Sequence, residues 1–315
     1  MIKSRICEIL GIRYPIIQGG MAWIADASLA AAVSNAGGLG LVSSVNAGTE
    51  AVRAEIRKCR ELTGKPFGVN IMLQAPNAPE IARMVIEEGV KILTTGAGSP
   101  APYMEDWKAA GIKVIPVIAS VALALKVQAL GADAVVAEGA ESGGHVGELH
   151  TMALLPQVAD AVSIPVIGAG GIADPRQAAA AFILGADAIQ VGTRFLAAEE
   201  CTVHQNYKER ILKATDNSTI VTGKTLGHPV RSLKTPFSNA FARMEADPSV
   251  TSEEILAFGT GALRKAVKDG DQDGGYMAGE VAGMVNRIEP AKAIVENIIL
   301  GAEKILGEAP TKYLG

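Results

Sequence analysis

Pro165-Val166-Ile167-Gly168-Ala169-Gly170-Gly171-Ile172-Ala173-Asp174 is the stretch on which the fold turns. An apolar strand runs into a glycine turn, and Asp174-Pro175 opens a helix. Asp suits the N-cap, and Pro suits the first helical position, where its missing N–H has no partner to lose. Glycines let a backbone approach an anion closely, and a helix N-terminus adds N–H donors and positive partial charge. The stretch reads as a phosphate clamp or, on its own, as a tight strand-to-helix turn. Gln190-Val191-Gly192-Thr193-Arg194 follows the next strand and offers a second glycine turn with a hydroxyl and a cation. Two such loops after consecutive late strands form the phosphate site of a (β/α)8 barrel.

The rest of the chain carries the same rhythm. Helix-like stretches end in Gly, and a short apolar run follows, as at Ala36-Gly37-Gly38-Leu39, Glu88-Gly89-Val90 and Ala110-Gly111-Ile112. Leu130-Gly131-Ala132-Asp133-Ala134 recurs unchanged at Leu184-Gly185-Ala186-Asp187-Ala188. Gly just past a helix adopts the left-handed conformation that turns the chain back. Strand, helix, Gly, strand is a βα repeat.

Short, continuously apolar runs at 15–18, 40–43, 67–71, 92–95, 114–118, 134–138, 165–168 and 188–191 predict parallel strands buried on both faces. Helices fit between them at 28–36, 49–63, 79–88, 101–110, 121–130, 153–161 and 175–184. Eight units fit an α/β (β/α)8 TIM barrel. An open doubly wound sheet is the alternative, but it gives no reason for paired late phosphate loops. After Arg194 the rhythm stops. Helices at 204–214, 236–245 and 252–258 and a strand at 219–222 predict a cap or lid inserted between strand 8 and helix 8. Residues 277–286 then read as the delayed eighth helix, and 291–306 as a C-terminal helix packed outside. The expected division is a barrel of residues 1–195 and 277–315 with an inserted cap and substrate segment at 196–276.

Composition narrows the class. The 315 residues are 49% apolar and 20% charged, which suits a buried core and excludes disorder. Aromatic residues are 4%, so the core is aliphatic. A net charge of −4 gives no global attraction to nucleic acid or anionic membranes. Cys7, Cys59 and Cys201 are far apart and form no CxxC, as expected of inert thiols in a reducing cytoplasm. The N-terminus lacks a signal-peptide pattern, and the apolar stretch 112–125 is interrupted and too short to span a bilayer.

In such a barrel the ligand sits at the C-terminal strand ends. These carry Gln18, Gly19, Gly20, Met21 and Ala22, then Asn70, Thr94-Thr95-Gly96, Ala119 and Glu138. Glycines admit a flat ring, and Gln18, Asn70 and Thr95 could hydrogen-bond a heterocycle; singly each also reads as ordinary strand-end capping. As a ring they look like a flavin cradle. Beyond Glu138 lies Gly143-Gly144-His145-Val146-Gly147, a histidine held between glycines at a strand end, with a pKa range suited to proton transfer. Cys201 and His204 have metal-pair spacing, but two ligands make no site. Asp269-Gly270-Asp271-Gln272-Asp273-Gly274 with Glu280 satisfies the EF-hand spacing. Tyr276 stands where a small aliphatic would pack, there is no partner hand, and the glycines are needed for turns, so no metal site is expected.

The combination resembles the FMN-dependent enoyl-acyl-carrier-protein reductases of bacterial type II fatty acid synthesis, which share a flavin-barrel superfamily with the nitronate monooxygenases. The resemblance covers nearly the whole chain. It rests on 17–23, 68–72, 94–98, 137–139, 143–147, 170–172 and 190–195, with Gly259-Thr260-Gly261 and Asp273-Gly274-Gly275 through Gly279 resembling the reductase branch. It implies FMN held through its phosphate by Gly168, Ala169, Gly170, Gly171, Gly192 and Thr193, with Gln190 in the same loop. The ring is expected against Gly19, Gly20, Met21, Ala22, Asn70 and Glu138. Gly143, Gly144 and the catalytic His145 lie beside it, and Met277, Ala278 and Gly279 close by. Nitronate enzymes share the Gly-Gly-His loop but commonly place Pro or Ala before the Met that matches Met21, so Gly20 favours the reductase.

The expected reaction is a hydride relay from NADH or NADPH through FMN to a trans-2-enoyl thioester, with His145 or an ordered water protonating the α-carbon. The alternatives are a nitronate monooxygenase, a colourless lyase or isomerase, and a non-catalytic flavin carrier. The resemblance also implies a monovalent cation, a homodimer and an acidic acyl carrier protein as partner. Between His204 and Pro236, Lys208, Arg210, Lys213, Lys224, Arg231 and Lys234 outweigh Glu209 and Asp216. That surplus is either a docking surface for the carrier or a solvated face.

Overall fold

The computed structural model describes residues 2–45 and 48–313. Its centre is a ring of eight parallel strands: β1 (Ile16–Gln18), β2 (Gly40–Ser43), β3 (Phe67–Met72), β4 (Ile92–Gly96), β5 (Lys113–Ile118), β6 (Val135–Glu138), β8 (Val166–Ala169) and β9 (Ala188–Val191). The order is β1-β9-β8-β6-β5-β4-β3-β2. A parallel bridge between Ile17 and Leu39 closes the ring, with Gln18 N–H donating to Leu39 O at 2.9 Å. This is the expected (β/α)8 barrel, and the doubly wound alternative is set aside.

The ring forms because its strands are apolar on both faces. Ile17, Leu39, Leu41, Ile92, Ile115, Val136 and Ile167 fill the interior as one buried cluster. Ile6 and Leu10 join that cluster from α1 (Arg5–Leu10), an unanticipated helix capped by Ser4, whose hydroxyl also holds Asp187 O at 2.6 Å just before β9. The outward faces pack under α2 (Ala27–Asn35), α3 (Thr49–Leu62), α4 (Ala78–Glu87), α5 (Ala101–Ala109), α6 (Val121–Ala129), α7 (Thr151–Ala161) and α8 (Pro175–Ile183). Five of these helices end at a glycine of positive φ, namely Gly37, Gly89, Gly111, Gly131 and Gly185, as the repeated punctuation requires.

One expectation is corrected here. Residues 277–286 are not the eighth helix; they run as an irregular path with a 3-10 turn at Glu280–Met284. Gly279 and Gly283 lie against backbone, and a Cβ would come within 2.6 Å of Glu141 O and of the Thr215 carbonyl carbon respectively. The eighth place in the ring is taken by α13 (Ala291–Tyr313), which packs on α8 and α2.

Between β9 and α13 the chain builds a 3-10 turn at Thr193–Ala197, α9 (Gln205–Leu212), α10 (Pro236–Ala246), α11 (Ser252–Gly259) and α12 (Ala262–Arg264). It also builds the hairpin β10 (Thr219–Thr222) and β11 (Val230–Leu233). The two-residue strand β7 (Gly144–His145) pairs antiparallel with β11, making a second sheet of order β10-β11-β7. Among the described residues no helix is long and apolar enough to cross a membrane.

Candidate active site

The C-terminal strand ends open into a cavity of roughly 1120 Å³. It is walled by the end of β3, by the loops after β1, β2, β4, β5, β6, β8 and β9, and by residues of the segment between β9 and α13. Gly19, Gly20, Met21, Ala22, Asn70, Glu138, Gly143, Gly144, His145, Ala169, Gly170, Gly171, Gln190, Gly192, Thr193, Met277, Ala278 and Gly279 all line it. Three expected residues do not. Gln18 is fully buried and consumed by the ring closure: its Oε1 accepts from Leu41 N–H at 3.0 Å and its Nε2 donates to Gly19 O. Thr95 is 1% exposed and alternates in direction with Thr94, so it is Thr94 that meets Asn70, donating to its Oδ1 at 2.9 Å. Gly168 serves packing, since a Cβ there would stand 3.0 Å from Leu155 and 3.5 Å from Ala181.

The glycines around the cavity have specific tenants. A Cβ at Gly20 would overlap the Asn70 side chain, and one at Gly143 would reach the Ala278 carbonyl carbon at 2.6 Å. The loop after β1 then passes Trp23 at φ 63, a left-handed conformation that a bulky residue holds only under constraint.

On the side facing β8 and β9, Gly170 and Gly171 have φ of 90 and 69 and present bare backbone. Gly192 and Thr193 follow at the start of the 3-10 turn, where Thr193 Oγ1 accepts from Gly279 N–H at 2.9 Å. Two expected contributors are absent from this clamp. The N-terminus of α8 is closed by a capping box in which Asp174 and Gln177 exchange hydrogen bonds, so its donors are spent. Arg194 is 8% exposed and turned to Glu289 and to Arg287 O. What the β8 and β9 loops present to the cavity is therefore chiefly glycine backbone. Glu141 and Thr151, not anticipated, brace it. Thr151 donates its N–H and hydroxyl to Glu141, the latter at 2.8 Å, and its Oγ1 lies 3.0 Å from Gly170 O.

The same side of the cavity, from β6 to β9, is also polar and under-satisfied. Ser142 Oγ and Gln190 Oε1 are buried without a hydrogen-bond partner among the described residues, and both residues line the cavity. Burial pushes the Glu138 carboxyl up to about 7, so at neutral pH it is protonated about half the time and can donate. A glycine-lined cavity with unmet donors and acceptors beside bare backbone fits a flat heterocycle carrying a phosphate. The donor set suits the flavin mononucleotide that the sequence resemblance implies.

His145 lines the rim of the cavity and is exposed to solvent. Burial first and the neighbouring His228 second lower its pKa, so the ring is neutral at pH 7. Its position is set by β11: Val230 pairs with His145, Arg231 pairs with Gly144, and Val146 N–H donates to Pro229 O at 3.0 Å. The Arg231 guanidinium donates twice to Ala140 O, at 3.2 and 3.0 Å, and pairs with Glu280 at 3.0 Å. It thus ties the histidine loop to the segment that carries Met277–Gly279. Tyr207 completes that tie by donating to Met277 O at 2.6 Å. Nothing in local sequence points to Arg231, whose partners Ala140 and Glu280 lie 91 and 49 residues away, with Thr219 of β10 a third.

Several sequence features find other roles. Glu280 faces Arg231, and Asp271 Oδ1 accepts from Asp273 N–H at 3.0 Å, so the EF-hand spacing does not gather its carboxylates. His204 caps α9 through Nδ1. The basic stretch is divided: Lys208 is 7% exposed and donates to Ala198 O at 2.7 Å, and Arg210 lies over the Tyr276 ring at 4.7 Å, whereas Lys213, Lys224 and Lys234 are exposed.

Comparison with known proteins assigns the lineage. A family model described as nitronate monooxygenase matches residues 3–301. The chain belongs to the nitronate monooxygenase family. Within that family, the solved structure of FabK from Thermotoga maritima is 46% identical, covers 99% of this chain and 100% of its own, and superposes with a TM-score of 0.96. A 5-hydroxy-7a-methyl-1-oxo-octahydro-1H-indene-4-carboxyl-CoA dehydrogenase from Mycobacterium tuberculosis is 35% identical, covering 96% of each chain. A probable nitronate monooxygenase from Staphylococcus saprophyticus is 30% identical over 97% of this chain and 99% of its own. All are oxidoreductases, and the chain is an enzyme of that class.

Proposed function

We propose that this protein is an FMN-dependent reductase of trans-2-enoyl thioesters, drawing on NADH or NADPH, with an acyl carrier protein as the thioester's carrier. The observation that carries the reading is the whole-chain likeness to FabK, at 46% identity against 30% for the probable nitronate monooxygenase. Gly20 supports it: the position that favours the reductase branch in sequence is the one at which Asn70 leaves no room for a side chain.

FMN, when bound, supplies two-electron hydride chemistry between a nicotinamide and the enoyl β-carbon. The backbone of Gly170-Gly171 and Gly192-Thr193 would hold its phosphate, and Glu138, Ser142 and Gln190 would offer hydrogen-bonding partners to its polar atoms. His145, neutral at pH 7, is suited to donate an N–H hydrogen bond to the thioester or to relay a solvent proton to the α-carbon, and its place at the rim keeps solvent within reach. The three free thiols suit a reducing cytosol.

Mass spectrometry of the product tests the reading. Incubation with a trans-2-enoyl thioester and reduced nicotinamide deuterated at C4 is expected to give a saturated thioester, with flavin turnover independent of oxygen. Oxygen-dependent consumption of an alkyl nitronate, with the enoyl thioester returned intact, would replace it with the monooxygenase reading that the family model also favours.

A further inference from the structure

We propose that a second cleft, between α10 and the α11–α12 segment, takes the phosphorylated adenosine end of a coenzyme whose reactive end enters the main cavity. The inference rests on the proposed redox function for its choice of coenzyme, but the cleft stands on its own geometry. It measures roughly 530 Å³, within the size range of small-molecule sites. Thr260 lines both this cleft and the main cavity, so the two adjoin at that residue.

Its lining has the chemistry of a nucleotide site. Phe258, 40% exposed, stacks on Phe237 with ring centres 5.1 Å apart and planes 13° from parallel. In a chain with only six phenylalanines, a large exposed aromatic surface at a cavity mouth is a stacking platform for a base. Arg243 and Lys265 line the same cleft and are exposed. Among the described residues neither has an ion-pair partner, whereas Lys208, Arg210 and Arg231 elsewhere in the segment are spent on carbonyls, a ring or a carboxylate. Two free cations on an otherwise acidic protein suit a phosphate pair. The lining also holds one carboxylate, Asp273, an acceptor for ribose hydroxyls.

Reduced nicotinamide dinucleotides and coenzyme A both carry this adenosine phosphate, so the test separates them. Calorimetric titration of the FMN-loaded protein with ADP reads the cleft without turnover. Binding is expected, and the double variant R243A/K265A is expected to weaken it about tenfold. The charge-conserving R243K/K265R pair should retain it, and the flavin spectrum should be unchanged in both. If the site serves the reductant, the KM for NADH or NADPH rises in the double variant while that for reduced nicotinamide mononucleotide does not. If it serves the acyl carrier, the KM for an enoyl-CoA rises while that for an enoyl-pantetheine does not. Absence of ADP binding at millimolar concentration, or equal ADP affinity in wild type and double variant, would overturn the assignment even in an active reductase. ADP binding in a protein inert towards enoyl thioesters would instead keep the cleft and discard the reductase reading.

Discussion

Glu138→Gln separates the charge of the buried carboxyl from its shape. Burial raises the Glu138 pKa from its ordinary value of 4.5 to about 7. Between these values the folded protein holds a proton that the unfolded chain has released, so stability falls as pH rises through this window and is level above it. A shift of this size corresponds to about 3 kcal/mol lost by pH 8. Gln keeps the side chain's length and a donor but cannot ionise. Relative to wild type, Glu138→Gln should therefore be neutral below pH 4.5 and more stable above pH 7, by up to about 3 kcal/mol. Urea unfolding of the ligand-free proteins at pH 5, 6, 7 and 8 measures this, taking the difference between the two proteins so that other titrating groups cancel. Stabilities that run parallel across the range would refute the claim that desolvation at the cavity wall holds the Glu138 pKa up.

Other side chains lead to equally direct tests. Arg231→Met removes the two hydrogen bonds to Ala140 O and the pair with Glu280, about 2 to 4 kcal/mol of local stability. It should lower kcat far more than it raises KM and speed amide exchange at residues 143–146; Arg231→Lys should rescue poorly because the ammonium lacks the planar fork. His228→Ala should raise the NMR titration midpoint of His145 without restoring its ordinary value, because burial is the larger cause. Lys208→Glu should lower the melting temperature rather than alter KM for any carrier, since it places a carboxylate where Lys208 now donates to Ala198 O; a carrier-specific KM effect in a fully stable variant would contradict the internal role.

How much of this was legible in the sequence depends on whether the signal is local. The eight strands and the first seven helices could be read because each βα unit announces itself through an apolar run and a terminal glycine. Residues 277–286 misled because Met277, Val281, Met284 and Val285 have helical spacing, while the decisive facts are the backbones of residues 141 and 215 pressing on Gly279 and Gly283. The cradle glycines were readable from type and position. Gln18 and Thr95 were not, because strand-end position does not say which face a side chain takes or which neighbour has already used its polar atoms. Arg194 and Lys208 look like ligand cations in one dimension; their partners, Glu289 and the Ala198 carbonyl, are chosen by folding. Thr151 and Arg231 belong to networks spanning 10 to 91 residues of chain, which no local pattern encodes.

The central claim is that the cavity holds a flavin that passes electrons from a nicotinamide to an enoyl thioester. Anaerobic stopped-flow absorbance of the FMN-loaded protein tests it most directly, with reduced nicotinamide added first and a trans-2-enoyl thioester second. The account predicts bleaching of the visible flavin band by NADH or NADPH, followed by fast recovery with the thioester in the absence of oxygen. A flavin band that reduced nicotinamide leaves unchanged, and that bleaches with an alkyl nitronate and returns only with oxygen, would contradict it.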